Sequence, residues 1–455
     1  MIHLFKFKDQ NIVLDVNSGA IHLVSDIVYD ILVFFEDLDR ELWEEKKDSL
    51  VNALTYDEAE ILDAISEIDH LITMNMLFTD DDHVTMNMLE NRDAVVKAMC
   101  LHVAHDCNMR CKYCFGDEGA FSGDRGLLSF ETGKKAIDFL FVNSGSRRNL
   151  EIDFFGGEPL MNFDVVKKLV EYGRKKEPEF NKNIRFTITT NGMLLDEEKE
   201  KYINENMDNV ILSIDGRKEV NDRMRKTING LGTYDKIIDN YKRFTGNRDG
   251  LYYVRGTFTG YNLDFVEDVK HLAKLGFENI SMEPVVTDET RDYVIKEEHI
   301  PKILEEYDKL AELFLDYAKE GKEFAFFHFN MDLNQGPCVI KRVSGCGAGT
   351  EYVAVSPEGD IYPCHQFVGE EEFKLGNLSE KEFHNKFYDK FNQAHIYNKP
   401  ECLNCWAKFY CSGGCHANAY HANNDMRKPY HIGCELERKR VECSIGIQAV
   451  IAENN

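Results

Sequence analysis

Three short runs of alternating or wholly apolar residues open the chain, HLFKFKD, NIVLDV and AIHLVS. Turn-forming residues at 17–19 join the last two runs, so the three predict a small three-stranded sheet. The next stretch, SDIVYDILVFFEDL, places Ile27, Ile31 and Phe34 on one face of a predicted helix. The beginning of the chain therefore predicts a sheet followed by helices.

A later helix is predicted by the sequence TYDE at 55–58, which has the form of a capping box with Glu58 in its third position. The helix would begin at Thr55. Its apolar residues recur at helical spacing: Ile61, Ile65, Ile68 and Ile72. Three strands followed by three helices is the order of a small winged-helix-like module, which we predict over residues 1–92.

The periodicity changes near residue 95 to an alternation of strands and helices. Six runs predict strands: VVKAMCLHVA, LEIDFF, IRFTITT, NVILSID, LYYVRGTFT and ENISMEPVV. Amphipathic stretches such as ETGKKAIDFLFVN and NFDVVKKLVEYGRKK lie between them and predict helices. This pattern predicts an α/β fold whose parallel strands curve into a full or partial barrel over residues 93–325. Such barrels have their active sites at the C-terminal ends of the strands.

The alternation ends near residue 335. Short runs, glycines and eight cysteines follow up to Cys434. We predict a bridging region over 326–345, a cysteine-rich domain over 346–434 that folds around bound metal, and a C-terminal helix over 435–455.

Composition narrows the class of protein. A length of 455 residues suits two or three domains, and 13 cysteines are too few for a disulfide scaffold. We expect no signal peptide and no membrane span, and hence a cytoplasmic protein whose cysteines are reduced, metal-bound or catalytic. The formal net charge of −26 argues against nucleic acid as a partner.

The stretch HDCNMRCKYCFG holds Cys107, Cys111 and Cys114 directly after the first predicted barrel strand. Three thiolates are one fewer than a closed zinc or iron–sulfur site takes, and a zinc loop or chance buried cysteines are the alternatives. The spacing resembles the signature of the radical S-adenosylmethionine (SAM) superfamily, which has a partial (β/α)6 barrel. The resemblance implies a [4Fe–4S] cluster whose open iron binds SAM, and reductive release of a 5′-deoxyadenosyl radical.

Three further strand ends carry the motifs FFGGEPL, TTNG and SIDG. Each alone is an ordinary turn, but the three fall at successive strand ends, where a ligand of the barrel would lie. In the superfamily that the loop resembles, GGEP binds the methionine amino group, and the other two motifs contact the ribose and the methionine carboxylate. The resemblance implies these SAM-binding residues: Gly156, Gly157, Glu158, Asn191 and Ser213, with Arg225 as a further carboxylate candidate.

The C-terminal cysteines have a spacing that resembles the SPASM domain of radical enzymes that modify peptides and proteins. The resemblance implies two auxiliary [4Fe–4S] clusters, and so three clusters in all. Their ligands would be Cys346, Cys364 and Cys415 for the first, with Cys338 as a candidate fourth, and Cys402, Cys405, Cys411 and Cys434 for the second. Zinc is the alternative, because Cys402-x2-Cys405 and Cys411-x3-Cys415 could form a ribbon-like site. Cys100 and Cys443 have no partner motif and are predicted core residues.

Winged-helix-like modules often read DNA, which would make the chain a non-catalytic iron–sulfur sensor. Its third helix, YDEAEILDAISEIDHL, is acidic, however, whereas a recognition helix needs lysine and arginine. In the peptide-modifying enzymes that the cysteine motifs resemble, a module of this order binds the leader of a precursor peptide as an added strand. The resemblance therefore implies a cysteine-rich precursor peptide as partner.

The three parts together resemble the maturases that form thioether bonds in six-cysteine ribosomal peptides. The resemblance implies that the radical takes a hydrogen from the precursor, a cysteine sulfur joins that carbon, and an auxiliary cluster accepts the remaining electron. A low-potential donor of flavodoxin or ferredoxin type would supply the reducing electron. Formylglycine formation and carbon–carbon crosslinking stay open, since enzymes of both kinds share the cluster motifs. The sequence identifies no catalytic base.

Overall fold

The chain begins with the predicted three-stranded antiparallel sheet, in the order β1-β2-β3. The structure, a computed structural model, describes all residues except 35–39, 48, 50–53, 82–94, 323, 334–342, 381–382, 384 and 454–455. The candidate ligand Cys338 therefore lies outside the described residues. The elements of the N-terminal module are β1 (Ile2–Phe7), β2 (Gln10–Asp15), β3 (Ile21–Val24), α1 (Asp26–Phe34), α2 (Arg40–Lys46) and α3 (Glu58–Thr73).

The two faces of this sheet are buried in different cores. Ile12 and Leu14 belong to the main core that the sheet shares with the barrel, whereas Val13 between them packs with the module's own helices. Because side chains alternate along a strand, β2 joins the two cores. Gly446 of the C-terminal helix allows close contact here, since a Cβ atom on it would lie 2.2 Å from the ring of Phe7. The module is therefore fixed against the rest of the chain.

Helix α3 begins later than predicted. Its N-cap is Asp57, whose side chain accepts a hydrogen bond from the Ala59 amide at 2.9 Å, and Glu60 completes the capping box. TYDE and DEAE both fit the pattern of the box, and Asp57 caps because it lies directly before the helix. The four predicted core positions of α3 are confirmed as buried: Ile61, Ile65, Ile68 and Ile72.

The buried face of α1 also differs from the predicted one. Ile31 is fully buried, but Phe34 is 49% exposed. The residues of α1 that the structure buries are Val28, Ile31 and Leu32. These three residues follow i, i+3, i+4 spacing. The predicted residues Ile27 and Phe34 lie at the edge of the buried face, so they are less buried.

All six predicted barrel strands are present, and each pairs in parallel with its neighbours in one sheet. One face of the sheet packs in the main core, so buried residues alternate with half-buried or exposed ones along four of these strands. The strands are β4 (Ala98–His105), β7 (Asn149–Gly156), β8 (Asn183–Thr190), β9 (Asn209–Ser213), β11 (Leu251–Phe258) and β12 (Asn279–Pro284). The helices are α4 (Phe130–Asn143), α5 (Phe163–Phe180), α6 (Glu197–Asn206), α7 (Lys218–Met224), α8 (Tyr234–Gly246), α9 (Phe265–Lys274) and α10 (Ile300–Lys319).

Short strands that the sequence did not predict extend and brace the barrel. They are β5 (Met109–Cys111), β6 (Gly126–Leu127), β10 (Arg225–Thr227) and β13 (Ala325–Phe326). In the described part of the chain the main sheet ends at β13 on one side and does not close, which confirms a partial barrel.

The cysteine-rich region continues the barrel sheet. Its strand β14 (Tyr352–Val355) pairs in parallel with β4, and β15 (Asp360–Tyr362) and β16 (Gly376–Asn377) follow antiparallel. This pairing brings the loop after β15 to the barrel mouth, beside the end of β4.

The remaining helices are α11 (Tyr388–Asn392), α12 (Pro400–Leu403), α13 (Lys408–Cys411), α14 (His416–Asn423) and α15 (His431–Glu453). The C-terminal helix α15 begins before the predicted residue 435 and so includes Cys434. Cys100 and Cys443 are buried, as predicted. Across the described residues, every helix is too short or too polar to cross a membrane.

Candidate active site

The three-cysteine loop leaves the end of β4 and is held by a small antiparallel ribbon. Strand β5 pairs with β10 so that Cys111 lies opposite Arg225. The amide of Lys112 adds a hydrogen bond of 2.8 Å to the carbonyl of Met224. The backbone around the cysteines is therefore fixed from both sides.

A cavity of about 560 Å³ opens where the barrel strands end. It brings together most of the predicted catalytic residues: Cys107, Cys111, Cys114, Gly156, Gly157, Asn191, Ser213 and Arg225. Glu158 is the predicted site residue that does not line it. The cavity thus lies at the C-terminal ends of the strands, as in other α/β barrels.

The glycines of FFGGEPL let two strand ends meet backbone to backbone. A Cβ atom on Gly157 would lie 2.1 Å from the carbonyl oxygen of Asp106, and one on Gly156 would lie 2.3 Å from that of Ala104. The amide of Gly157 donates to Ala104 at 2.7 Å, and that of Glu158 donates to Asp106 at 2.9 Å. The end of β7 therefore sets the position of the chain that leads into the cysteine loop.

The carboxylate of Glu158 is fully buried and already has partners within the protein. It accepts hydrogen bonds from the Thr190 hydroxyl at 2.7 Å, the Asn191 amide at 2.7 Å and the Leu160 amide at 3.0 Å. Burial raises its pKa, although these hydrogen bonds oppose the rise. Its side chain joins the ends of β7 and β8, and contact with a methionine amino group stays a prediction.

Asn191 contacts the cysteine loop directly. Its side-chain amide donates to Asn108 at 2.8 Å and lies 3.6 Å from the sulfur of Cys107. Ser213 ends the next strand, β9, and also lines the cavity. The two residues place polar groups on neighbouring strand ends beside the thiols.

Arg225 is a buried cation in the wall of the cavity. It donates to the hydroxyl of Tyr113 at 2.8 Å, and that hydroxyl lies 2.8 Å from both carboxylate oxygens of Asp215. Its Nε atom is buried without a hydrogen-bond partner among the described residues. A buried guanidinium with an unused donor suits an anionic ligand.

These features fit an iron–sulfur cluster with SAM beside it. Three thiols converge on one wall, and the donor of Arg225 is available to a carboxylate. Burial raises the pKa of Cys107 to about 12 and that of Cys111 to about 11. Both are therefore neutral thiols until a metal binds and releases their protons.

The auxiliary cysteines form two groups. Cys415 faces the catalytic cavity, and the charges of Cys415 and Cys346 act on buried Cys364. A second cavity of about 490 Å³ is lined by Cys402, Cys405, Cys411 and Cys434. The described part of the chain has no three histidine, cysteine or acidic groups placed to hold a single ion.

Several residues at these sites were not predicted from the sequence. Asp153, Arg255, Glu283 and His365 line the catalytic cavity. Asp153 carried a signal, because alternation in the run LEIDFF places Glu151 and Asp153 on the face opposite to the buried apolar residues, which is the barrel interior. The others came from strands or loops with no motif to mark them.

Lys399 was also missed, since a lysine beside proline reads as an ordinary surface residue. It is fully buried and donates to the carbonyl of Gly413 at 2.6 Å. The charges that act on it belong to both cysteine groups: Cys402, Cys411, Cys415 and Cys434. Burial lowers the pKa of Lys399, while nearby thiolates oppose that shift, and its amino group lies between the two predicted auxiliary sites.

Comparisons with known proteins agree with this geometry. Residues 101–273 match the family described as the radical SAM superfamily, and residues 346–406 match SPASM, an iron–sulfur cluster-binding domain. An uncharacterized protein of Methanocaldococcus jannaschii is 30% identical over 290 residues, covering 63% of this chain and 90% of that protein. The cysteine-type anaerobic sulfatase-maturating enzyme of Clostridium novyi is 27% identical over 337 residues, covering 69% of this chain and 86% of that enzyme.

A solved structure extends the likeness in fold to nearly the whole chain. Streptococcus suis SuiB bound to precursor peptide SuiA superposes with a TM-score of 0.54 at 16% identity, covering 95% of this chain and 98% of SuiB. The chain belongs to the radical SAM superfamily. Within it, this is a radical SAM enzyme with a SPASM domain, and it binds SAM and iron–sulfur clusters.

Proposed function

We propose that the chain is a maturase that joins cysteine sulfur to carbon within a cysteine-rich precursor peptide, forming intramolecular thioethers. One observation carries the proposal: the cavity that holds the three loop cysteines is also lined by Cys415 of the SPASM region. A peptide in that cavity would lie between two metal-binding cysteine groups. A substrate thiol could then meet the auxiliary site while its acceptor carbon faces the radical.

The N-terminal module supplies the proposed docking place for the leader. Strand β3 is an outer strand, and apolar side chains are exposed on it, on α3 and just after α3: Leu23 is 39% exposed, Leu62 is 52% exposed and Met74 is 56% exposed. The other outer strand, β1, faces the C-terminal part, where His3 stacks on Trp406 with ring centroids 3.7 Å apart. A leader strand would therefore add to β3 beside α3, which is strand augmentation.

We propose three [4Fe–4S] clusters: one on the loop cysteines, one on Cys346, Cys364 and Cys415, and one on the four cysteines of the second cavity. Cys338 would be the fourth ligand of the cluster on Cys346, Cys364 and Cys415. If Cys338 does not bind that cluster, one iron is left able to bind a substrate thiolate. A low-potential flavodoxin- or ferredoxin-type donor would supply electrons. Reduced, cluster-bound cysteines suit a cytoplasmic, oxygen-sensitive enzyme.

The chain's own residues have distinct roles in this proposal. When bound, the cluster and SAM supply a 5′-deoxyadenosyl radical by reductive cleavage. Arg225, held by Tyr113, would bind the carboxylate of SAM through its unused donor. Gly157 keeps the cysteine loop in position, and Asn191 orients the polar wall beside it. The surrounding walls would exclude water from the reacting carbon.

The experiment incubates the reduced holoenzyme with SAM and a precursor that carries its leader and cysteines. We expect a product lighter by two hydrogens per crosslink, whose modified cysteines resist alkylation, together with 5′-deoxyadenosine. Replacing Cys107, Cys111 and Cys114 by alanine should remove about one third of the iron and all cleavage of SAM. Cys443→Ala, a buried cysteine outside all three groups, is the matched control and should keep both. Deoxyadenosine formation by the triple variant would contradict the assignment.

Formylglycine formation is the second candidate, favoured by the 27% identity with the sulfatase-maturating enzyme. That reaction would act on a single cysteine or serine of a sulfatase and would not need the leader module. Incubation with a sulfatase-derived peptide separates the two functions. An aldehyde product from that peptide, without a leader, would replace the thioether proposal.

A further inference from the structure

Three of the described carboxylates line the catalytic cavity, those of Glu118, Asp153 and Glu283. A reaction that joins a cysteine sulfur to carbon must remove the proton of the thiol. A group that takes this proton has to face the cavity, be ionised for part of the time and hold no strong ion pair. The three carboxylates differ in these respects.

Glu118 lies near the entrance and is paired. Its carboxylate is 3.0 Å from Arg110 and 3.9 Å from Arg125, and its side chain is 51% exposed. Two guanidinium groups therefore already pair with this carboxylate. Glu118 therefore does not meet the requirement for a carboxylate without a strong ion pair.

Glu283 is surrounded by basic side chains. It lies 3.1 Å from His328, 3.6 Å from Arg255 and 3.7 Å from Arg440. Although burial acts to raise its pKa, these three neighbours together hold the pKa well below the ordinary value. Glu283 therefore stays a carboxylate and serves to anchor the C-terminal helix to the barrel.

Asp153 lacks a comparable partner. It is half-buried on β7 and turned into the barrel, and its carboxylate accepts one long hydrogen bond, 3.4 Å from the hydroxyl of Thr189 on β8. The charged groups that act on it are Arg255 on β11 and, unfavourably, Glu151 of its own strand. The facing Cys100 on β4 and Tyr352 on β14 have pKa values far above neutral and are uncharged.

The proton affinity of Asp153 suits the task. Burial raises the pKa of Asp153 to about 7, although Thr189 and Arg255 oppose the rise. A free cysteine thiol has a pKa of about 8.5, so proton transfer between the two groups is nearly balanced near neutral pH.

We propose that Asp153 accepts the proton of the substrate cysteine thiol as the sulfur prepares to join carbon. The S–H bond breaks, an O–H bond forms on the carboxylate, and the substrate sulfur is left as a thiolate with no change in electron count. The thiolate is the form that attacks carbon and that a metal binds. This inference rests on the proposed thioether function.

The first experiment compares Asp153→Asn and Asp153→Glu with the wild-type holoenzyme, using SAM and the leader-bearing precursor. The control is Asp249→Asn, which changes an exposed carboxylate remote from the cavity. We expect Asp153→Asn to lower the rate of thioether formation about 100-fold or more while 5′-deoxyadenosine still forms, because removal of a general base costs about 10²–10⁴-fold. Raising the pH should restore part of the rate, and Asp153→Glu should retain more than Asp153→Asn.

A second measurement needs no cofactor turnover. The pKa of Asp153 is raised from 3.8 to about 7, so between these values the folded chain holds a proton that the unfolded chain releases. The wild-type protein should therefore lose stability as pH rises through this window, and Asp153→Asn should lose less. Thermal unfolding at pH 5 and pH 8 measures this difference.

The outcomes separate this inference from the proposed function. A wild-type enzyme that makes no thioether overturns both. A wild-type enzyme that makes thioether while Asp153→Asn makes it at the same rate overturns only the role of Asp153. Equal losses of thioether and 5′-deoxyadenosine in Asp153→Asn also overturn it, because Asp153 would then act on SAM cleavage. An unchanged difference in stability between pH 5 and pH 8 removes its physical basis.

Discussion

At the scale of single residues, the catalytic loop depends on close backbone approach more than on side-chain contact. The chain leading into the cysteines is pressed against the end of β7, with only glycine at the contact. The buried carboxylate of Glu158 also links the ends of β7 and β8, because it accepts hydrogen bonds from Thr190 and Asn191. The motif FFGGEPL therefore acts first as a support for the cysteine loop.

This role predicts the effect of a single methyl group. In Gly157→Ala, the new Cβ would meet the Asp106 carbonyl at 2.1 Å, a backbone atom that cannot rotate away. We expect a loss of stability of about 1–3 kcal/mol, as in other overpacked sites, and fewer iron atoms retained per chain. Thermal unfolding of the apoprotein and iron analysis after reconstitution measure the two effects.

Gly246→Ala is the matched control, because nothing lies within 4 Å of a Cβ atom there and α8 ends at this residue. It should be neutral or slightly stabilising. If Gly157→Ala behaved like Gly246→Ala, close contact at β7 would not position the loop.

Individual residues also show where sequence reasoning stopped. Motif spacing and strand ends predicted which residues would lie together in the cavity: the loop cysteines, Gly156, Gly157, Asn191, Ser213 and Arg225. The orientation of the Glu158 side chain could not be predicted, because its hydrogen-bond donors Thr190 and Asn191 belong to the end of another strand. Asp153 and Lys399 acquire their environments only through burial among residues distant in sequence.

At the scale of elements, runs with alternating apolar residues predicted the barrel strands well, because one face of the sheet packs in the core while the other faces the cavity. The ends and faces of helices were predicted less well. Two overlapping capping boxes competed at the start of α3, and the neighbours of α1 decided which of its residues are buried. The pairing of β14 with the barrel sheet could not be predicted, because its partner strand β4 lies about 250 residues earlier in the sequence.

The unpaired edge of β3 predicts where the leader binds. In Leu23→Glu and Leu62→Glu, an exposed apolar side chain on β3 or α3 becomes a carboxylate in an already acidic module. We expect affinity for the leader to fall about tenfold or more, because charge replaces apolar contact at the docking surface. Cleavage of SAM without peptide should be unchanged, as should thermal stability.

Fluorescence anisotropy of a labelled leader peptide measures this affinity. Val142→Glu is the control, since Val142 is 72% exposed on α4 of the barrel. Equal weakening by all three variants would indicate a general charge effect and contradict docking at β3.

At the scale of the whole molecule, the three predicted regions are joined by shared structure. The cysteine-rich region adds β14 to the barrel sheet, and the N-terminal sheet packs in the main core. Asp81, at the end of the module, accepts hydrogen bonds from Tyr397 at 2.8 Å and from Lys408 at 3.0 Å. Removal of residues 1–92 would therefore expose core surface, so the role of the module has to be tested by point substitutions in the full chain.

The contact between Phe7 and Gly446 predicts how the packing of the N-terminal module against α15 responds to substitution. Gly446→Ala would place a methyl group 2.2 Å from the ring of buried Phe7, and the module would have to shift away from α15. Phe7→Leu removes part of that ring and leaves space. Each single variant should lower stability and peptide turnover while cleavage of SAM persists.

The double variant should be less destabilised than the sum of the two single variants by about 0.5–3 kcal/mol, because the smaller side chain accommodates the methyl group. Chemical unfolding of the four proteins gives this coupling energy, and strict additivity would show that the module and α15 are not tightly packed at this point.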